Sequence, residues 1–441
     1  MRRLSNEEGN EYLYVTSTAI EILGKYPLCD RCLGRLFAKL GYGWSNKQRG
    51  ESIKRVVLME LHHMLRNENI EKEQLEAIAR NIGEYAQPLL RKLGLGNDEN
   101  PGCTICGGLL DSFIEEVSRR SIPILKAYDI KRFIVGAKVS GSIINKENQL
   151  KQEFRLGFGE SIKAEIRREI GKLIQSLDKD LTVDFDNPEA TLLVEYPAGA
   201  IYLQVNSLLI KGRYWKTGRM ISQAYWPTPS GPKYYSIEEA LWSVLRIVGA
   251  ERVILHAAGR EDVDARMLGS GRPAIFEFKT PRKRHLSLRE LEKVANKSSN
   301  YVSFRFEDYT SRKDVQLYKD DMAKTSKIYK ALIVSEEPVD DNKLKELESF
   351  FTNRLIMQKT PSRVLHRRPN LLRRRKVYSM RCHMIWDHVF ECLINAEGGL
   401  YIKELVSGDE GRTTPSFSEV LGAPARCVEL DVVSVKLRGH S

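Results

Sequence analysis

The 441-residue chain carries 70 Lys and Arg against 58 Asp and Glu, giving a formal net charge of +12 and a pI near 9.2, with 42% hydrophobic residues. That length suits two or three domains, and the apolar share is that of an ordinary folded soluble protein. No apolar run is long enough to span a bilayer and no signal-peptide apolar segment opens the chain, so the excess positive charge points to a polyanion in the cytoplasm, nucleic acid ahead of a membrane surface.

The first motifs are two CxxC pairs, Cys29-Asp30-Arg31-Cys32 and Cys103-Thr104-Ile105-Cys106, the second followed by Gly107 and Gly108. Each pair can chelate one metal from a tight turn, and the glycines let backbone amides approach the sulfurs, so Cys29, Cys32, Cys103 and Cys106 are expected to hold a structural Zn2+. Four thiolates leave no open coordination position for chemistry. The competing readings are unmetallated thiols and redox chemistry. Helical segments are expected between the pairs at Arg49 to Leu65 and Lys72 to Leu95. Seven cysteines in an intracellular-looking chain argue against a disulfide framework, and Cys382, Cys392 and Cys427 read as buried fillers.

From Ile122 to Tyr202 strand-like runs (Arg132 to Val139, Leu181 to Phe185, Ala190 to Tyr196, Ile201 to Leu203) alternate with an amphipathic helix, Ile162 to Leu177, which is an α+β pattern. A domain boundary is expected near Leu203 to Tyr214. Apolar residues at helical spacing then run from Ser236 to Val248.

Between the apolar segments Val253-Ile254-Leu255 and Ala274-Ile275-Phe276 lies a dense set of charges, Gly259 to Gly269. A strand-loop-strand hairpin on a mixed scaffold is expected here, with Gly269-Ser270-Gly271 as its turn. Arg260 and Arg266 are close enough in sequence to hold Asp262 or Asp264 ionised, which would make an oxygen nucleophile suited to breaking a bond at a sugar carbon. The plainer reading is a solvated loop with local ion pairs. A metal-dependent nuclease would instead use Glu261, Asp262 and Asp264 as Mg2+ ligands, but adjacent strand positions face opposite ways, which argues against shared coordination.

The stretch Phe351 to Trp386 contains no Asp or Glu while Arg354, Arg363, Arg367, Arg368, Arg373, Arg374 and Arg375 accumulate, which suits phosphate contact; Lys279 to His285 is a shorter basic run. Tyr214, Trp215, Tyr225, Trp226, Tyr234 and Tyr235 could stack on unpaired bases, although aromatics in strands more often belong to a core.

Taken together, GREDVDARMLGSGRP (Gly259 to Pro273), CDRCLGRLF, CTICGG, TSKIYKALI (Thr325 to Ile333), KTPSRVLHRR (Lys359 to Arg368) and GLYIKELVSGDEGRTTPS (Gly399 to Ser416) resemble the archaeal tRNA pseudouridine synthases of the Pus-ten family, in the same order and over nearly the whole chain. The resemblance implies an α+β protein: a zinc-binding helical module (1–120), a THUMP-like RNA-binding domain (121–205) and a mixed-sheet pseudouridine synthase catalytic domain (206–441). It further implies isomerisation of uridines 54 and 55 in the tRNA TΨC arm, by a cytoplasmic monomer that needs no catalytic cofactor and has tRNA as its partner. Matched by motif, Asp262 is the nucleophile, with Asp264 its competitor, and Tyr329 lies on the target base. Tyr401 contacts substrate, Ile402 packs the pocket, Lys403 is the basic partner of the aspartate and Leu430 is an apolar wall; Arg260 is a further contact. Leu400 departs from the Thr usual there. A non-catalytic zinc-containing RNA-binding protein remains the alternative.

Overall fold

Ile162, Ile166, Ile170 and Ile174 recur at every fourth position, and in the computed structural model all four are fully buried along the helix Ile162–Leu177, whose N-cap Ser161 accepts from the Ala164 amide. The structure describes residues 14–95, 101–316 and 325–436, so the extreme N-terminal stretch inspected for a leader lies outside it. Two compact units emerge, Met1–Val205 and Asn206–Ser441. Among the described residues no helix is long and apolar enough to cross a membrane.

In the first unit, β1 (Arg132–Val139), β2 (Thr182–Val183), β3 (Ala190–Tyr196) and β4 (Ala200–Val205) form a sheet in the order β2-β1-β3-β4. β1 runs parallel to β2 and β3, and β4 returns antiparallel on β3. Strict alternation of buried and half-exposed residues along β3 gives the sheet one core face. That core is continuous from Ala19 to Tyr196, so the cysteine-bearing helical region and the sheet share it.

The helices between the two CxxC pairs depart in part from expectation. Asn46–Arg66 is one helix opened by a Ser45/Gln48 capping box, but the second segment breaks: Lys72–Ile82 ends at Gly83, which has φ 86°, and a short turn leads into Gln87–Lys92. Helix Asp30–Leu36, which carries Cys32, presses backbone to backbone against Asn46–Arg66. A Cβ at Gly34 would collide with the Asn46 carbonyl oxygen, and one at Gly50 with that of Asp30. The same helix carries Arg35, fully buried, whose Nε and Nη1 donate to Glu147 and Glu165, both at 2.8 Å, and whose Nη2 lies 3.4 Å from Cys32 Sγ. Glu165 also accepts from Arg31 at 3.3 Å. Buried charges persist only with such partners.

The second unit opens with β5 (Leu208–Lys216), followed by the short strands β6 (Ile221–Ser222), β7 (Pro227–Thr228), β8 (Gly231–Pro232) and β9 (Tyr235–Ser236). The helical stretch after them divides at Leu241 into Ile237–Ala240 and Trp242–Val248. Then come β10 (Arg252–Ala257), β11 (Arg266–Lys279), β12 (Val302–Tyr309), β13 (Ser326–Ser335), β14 (Leu355–Lys359), β15 (Leu372–Trp386), β16 (Val389–Glu397), β17 (Thr413–Thr414) and β18 (Ala425–Lys436). They build one mixed sheet, β12-β5-β11-β18-β13-β16-β15-β14-β17, with β10 as an added neighbour of β11.

Opposite β5, the other edge of β11 is shared: its C-terminal half pairs with β10 and its first two residues with β18. The loop from Ala258 to Ala265 therefore emerges at a fork in the sheet. Gly269-Ser270-Gly271 does not turn a hairpin, as its composition suggested. It lies inside β11, where the register with β5 slips between Met267 and Arg272, and the positive φ of Gly269 and Gly271 accommodates that irregularity. A second correction concerns Cys382 and Cys392, which are bonded as a disulfide rather than serving as fillers. They sit directly opposite in the β15/β16 ladder, where facing side chains share one side of the sheet.

Replacing Arg35 with Met would take the shared guanidinium from two buried carboxylates, leaving Glu165 to Arg31 at 3.3 Å and Glu147 to Lys151 at 3.5 Å. The expected loss is about 3–5 kcal/mol in the first unit's urea unfolding transition. Arg119→Ala, which breaks the exposed pair with Glu115, is expected to leave that transition almost unmoved.

Candidate active site

The charged loop folds around a residue that composition could not distinguish from its neighbours. Glu261 points inward, its carboxylate 2.8 Å from Arg272 Nε, 3.9 Å from Lys216 Nζ and 3.0 Å from the Tyr214 hydroxyl, which donates to it. Burial pushes the Glu261 carboxyl up, but the Arg272 and Lys216 charges outweigh it and the net displacement is downward. Tyr214 is thus fully buried and committed to this pair, so it does not stack on a base, and burial raises its phenol well above the usual range.

The loop backbone is pinned with similar density. Lys216 Nζ donates to the carbonyls of Asp262 at 3.1 Å and Val263 at 3.3 Å, Arg219 Nη1 to Asp264 at 2.7 Å, Gln223 Nε2 to Gly259 at 3.0 Å and Arg272 Nη1 to Ala258 at 2.7 Å. Lys327, on β13, closes the inner side. Gly259 has φ 82°, and a Cβ there would come within 2.7 Å of Lys327 Nζ. Burial, with the Arg272 charge acting the same way and Glu261 opposing both, pushes Lys327 down to about 7 in all.

With its neighbour turned inward, Asp262 faces out, its side chain 35% exposed. Arg363 clasps it through Nη2–Oδ2 at 2.9 Å and Nη1–Oδ1 at 3.3 Å, while Arg363 Nε donates to the nearly buried Glu404 at 2.6 Å. Lys403 lies 3.9 Å from Asp262 but 2.6 Å from Asp264, so its nearer carboxylate is the expected competitor. Burial alone would raise Asp264; the Lys403 ammonium reverses this and the net shift is down. Arg260 is exposed and does not pair with Asp262, and Arg266 is held by Asp431. The local Arg partners inferred from proximity in the chain are therefore replaced by Arg363 and Lys403.

Tyr329 and Leu430 share a face. The β13/β18 register sets Leu430 opposite Ala331, two positions along from Tyr329. Both are nearly buried, as is Ile402 at the start of the helix Ile402–Ser407. Burial, opposed by the Arg272 charge and aided by Asp262, raises the Tyr329 phenol to about 12 in all. Tyr401 caps that helix, and Gln358 exchanges hydrogen bonds with its backbone N–H at 2.8 Å and C=O at 3.0 Å. Arg368 donates to the Tyr401 hydroxyl at 3.1 Å, and Arg363 and Arg373 lie 6.0 and 5.9 Å from the ring centre. The structure thus gathers Asp262, Lys403, Arg363 and Tyr401 by direct contact, sets Tyr329 and Leu430 on one face, and leaves Arg260 outside.

Glu261 and Asp262 face opposite ways, so they do not converge on one ion. Among the described residues the one group suited to a metal is Cys29, Cys32, Cys103 and Cys106, whose sulfurs all lie within 4.8 Å of one another. None of the four is in a disulfide, and Tyr196 Oη donates to the Cys106 carbonyl at 2.9 Å.

Compared with known proteins, residues 209–436 match the family described as Pus10, C-terminal, and residues 118–195 the Pus10 THUMP domain, archaeal. The chain is 53% identical over 426 residues to the tRNA pseudouridine synthase Pus10 of Aeropyrum pernix, covering 96% of this chain and 97% of that one. Against the tRNA pseudouridine synthase Pus10 of Ignisphaera aggregans it is 44% identical over 425 residues, covering 96% and 99%. A solved Cbf5-Nop10-Gar1 complex is similar at 17% identity and a TM-score of 0.28, covering 51% of this chain and 47% of that one, too slight a likeness to argue from.

The buried lysine makes stability depend on pH. Folded Lys327 loses its proton near pH 7, whereas the unfolded chain holds it to about 10.4, so between those values the unfolded state binds more protons and unfolding free energy rises with pH. The difference in unfolding free energy between wild type and Lys327→Met should therefore grow in favour of wild type from pH 7 to pH 10. A difference that stays flat across that range would reject the assignment.

Proposed function

The chain belongs to the tRNA pseudouridine synthase Pus10 family and is an isomerase of that kind, and from this premise we propose that it converts uridines 54 and 55 of the tRNA TΨC arm to pseudouridine with Asp262 as nucleophile. The observation that carries the reading is the outward carboxylate of Asp262, clasped by Arg363 on a loop whose carbonyls are already taken up by Lys216, Arg219, Gln223 and Arg272. Such a group costs little reorganisation when the substrate arrives.

The target uridine must leave its stack, at a cost of a few kcal/mol that stacking on an aromatic face and phosphate contacts offset. Tyr329 supplies the face, Leu430 and Ile402 the apolar walls, and the arginines around Tyr401 the phosphate contacts. The Asp262 carboxylate then either attacks the ribose carbon that bears the base or removes a ribose proton. In the first route the bond from N1 to the ribose breaks as the carboxylate becomes esterified, and carbon 5 of the turned uracil displaces it; in the second, uracil leaves as the ribose proton goes to Asp262, and that proton returns as carbon 5 bonds the ribose. In both, carbon 5 loses its proton and N1 gains one. Tyr329, with its phenol near 12, meets the base as a neutral hydroxyl and an aromatic face rather than as a ready base. Lys403 spans Asp264 and Asp262 and steadies the negative charge of the pair.

The division into a helical module (1–120), a THUMP-like domain (121–205) and a catalytic domain (206–441) belongs to the same proposal, as does a cytoplasmic site of action. So does structural zinc. Bonds of about 2.3 Å place tetrahedral sulfurs roughly 3.8 Å apart, and the thiol cluster is close enough to contract to that size.

Asp262→Asn should bind unmodified tRNA transcript with unchanged affinity yet form pseudouridine at least about 10³-fold more slowly in a single turnover, mapped by primer extension after carbodiimide treatment. Wild-type failure to form adducts at either uridine would end the reading. For the metal, purified protein should release one equivalent of zinc on thiol modification, and Cys32→Ser should lower both the zinc content and the first unit's melting midpoint. Full-strength folding of a zinc-free preparation would count against the site.

A further inference from the structure

In the first unit the loop from Lys39 to Ser45 is held to an unusual degree for a surface segment. Arg49 is buried, and its guanidinium donates to the carbonyls of Leu40 at 2.6 Å, Gly41 at 3.2 Å and Trp44 at 3.1 Å, and to Asn46 Oδ1 at 2.7 Å. The Ser45/Gln48 capping box fixes the loop's far end, and Gly41 and Gly43 take φ of 68° and 86°. What this scaffold presents is aromatic. Tyr42 is 105% exposed and Trp44 is 55% exposed.

A second segment joins it through the Lys39 N–H, which donates to the Phe158 carbonyl at 2.8 Å, and it brings exposed Phe158 and Arg155. Charge favours a polyanion. Lys39 and Lys47 are exposed, Lys47 sharing its charge with Asp111 at 3.2 Å, and no Asp or Glu occurs from Arg31 to Gly50. Glu160, the nearby acid, is taken up by Arg168 at 2.6 Å and Asn46. Part of the Trp44 ring packs over Gly41, where an added Cβ would lie 3.6 Å from it, but Tyr42 stands clear in water, and Arg49 holds the loop through backbone rather than rings. Rigid aromatics interleaved with cations are the arrangement on which unpaired bases stack while the phosphates meet lysine and arginine.

We propose that Tyr42 and Trp44 form a stacking platform for unpaired nucleotides of the RNA substrate, distinct from the pocket of the target uridine. This rests on the synthase reading for the identity of the RNA. Each base stacked on an aromatic contributes roughly 1–3 kcal/mol, or about 5–150-fold in affinity.

The test measures equilibrium binding of the full chain to unmodified tRNA transcript and to a blunt-ended RNA duplex. Tyr42→Ala/Trp44→Ala is expected to weaken tRNA binding about 10-fold or more and to leave duplex binding unchanged, whereas Tyr42→Phe/Trp44→Phe retains wild-type affinity for both. An unaltered tRNA affinity in the Ala variant, or equal loss for tRNA and duplex, would overturn the platform and free the loop for a protein partner. Carbodiimide mapping of wild type on the same transcript separates the two ideas. Absent adducts would sink the synthase reading while the affinity comparison still decides the platform.

Discussion

The ion pair between Glu261 and Arg272 is the constraint on which the catalytic unit's geometry depends. Both side chains are almost wholly withdrawn from water, and ions in that position are costly to desolvate unless partners surround them. Those partners come from two strands: Tyr214 and Lys216 from β5 and Arg272 from β11. Satisfying one carboxylate thus fastens β5, β11 and the loop at the sheet's fork. Asp262 faces outward because its neighbour has been drawn in.

On the outer side the same economy of charge recurs. The acid-free stretch Phe351 to Trp386 would repel itself as a bare surface, yet part of it is neutralised within the fold: Arg363 by Asp262 and Glu404, Arg375 by Glu397. Other members turn toward Tyr401. Arg363 and Arg368 thus do their first work on protein atoms, the one on two carboxylates and the other on a phenol. In the first unit Arg35 plays the inward role, joining the helix of Cys32 to the helices that carry Glu147 and Glu165.

Short-range features were legible in the residues. Helix Ile162–Leu177 and strands Arg132–Val139 and Ala190–Tyr196 have the ends their periodicity implies, because each buries one regular face. The break at Gly83 and the irregularity at Gly269 to Gly271 were harder, since a glycine permits several conformations and tertiary pairing selects among them. Long-range pairing was hidden. Arg260 and Arg266 are near Asp262 in the chain, but the cation that clasps it is Arg363, 101 positions away, and periodicity carries no information at that separation. Arg363 stands in the motif KTPSRVLHRR within an acid-free basic run, where sequence alone points to phosphate rather than to a carboxylate partner. Lys327 carried a local signal, two positions before Tyr329 and so on its face of the strand. The Cys382–Cys392 bond likewise needs the β15/β16 register, which composition does not supply.

Two carboxylates adjacent in the chain, one drawn inside and the next turned out, also restrict how this loop can change over evolutionary time. Substitutions along its rim leave the alternation intact. Insertion or loss of a single residue between Ala258 and Asp262 would draw one of the two carboxylates off its present partner, Glu261 from Arg272 or Asp262 from Arg363. Length in this segment should therefore drift far less than identity, with gaps accumulating instead in parts of the chain where no two neighbours have opposite duties.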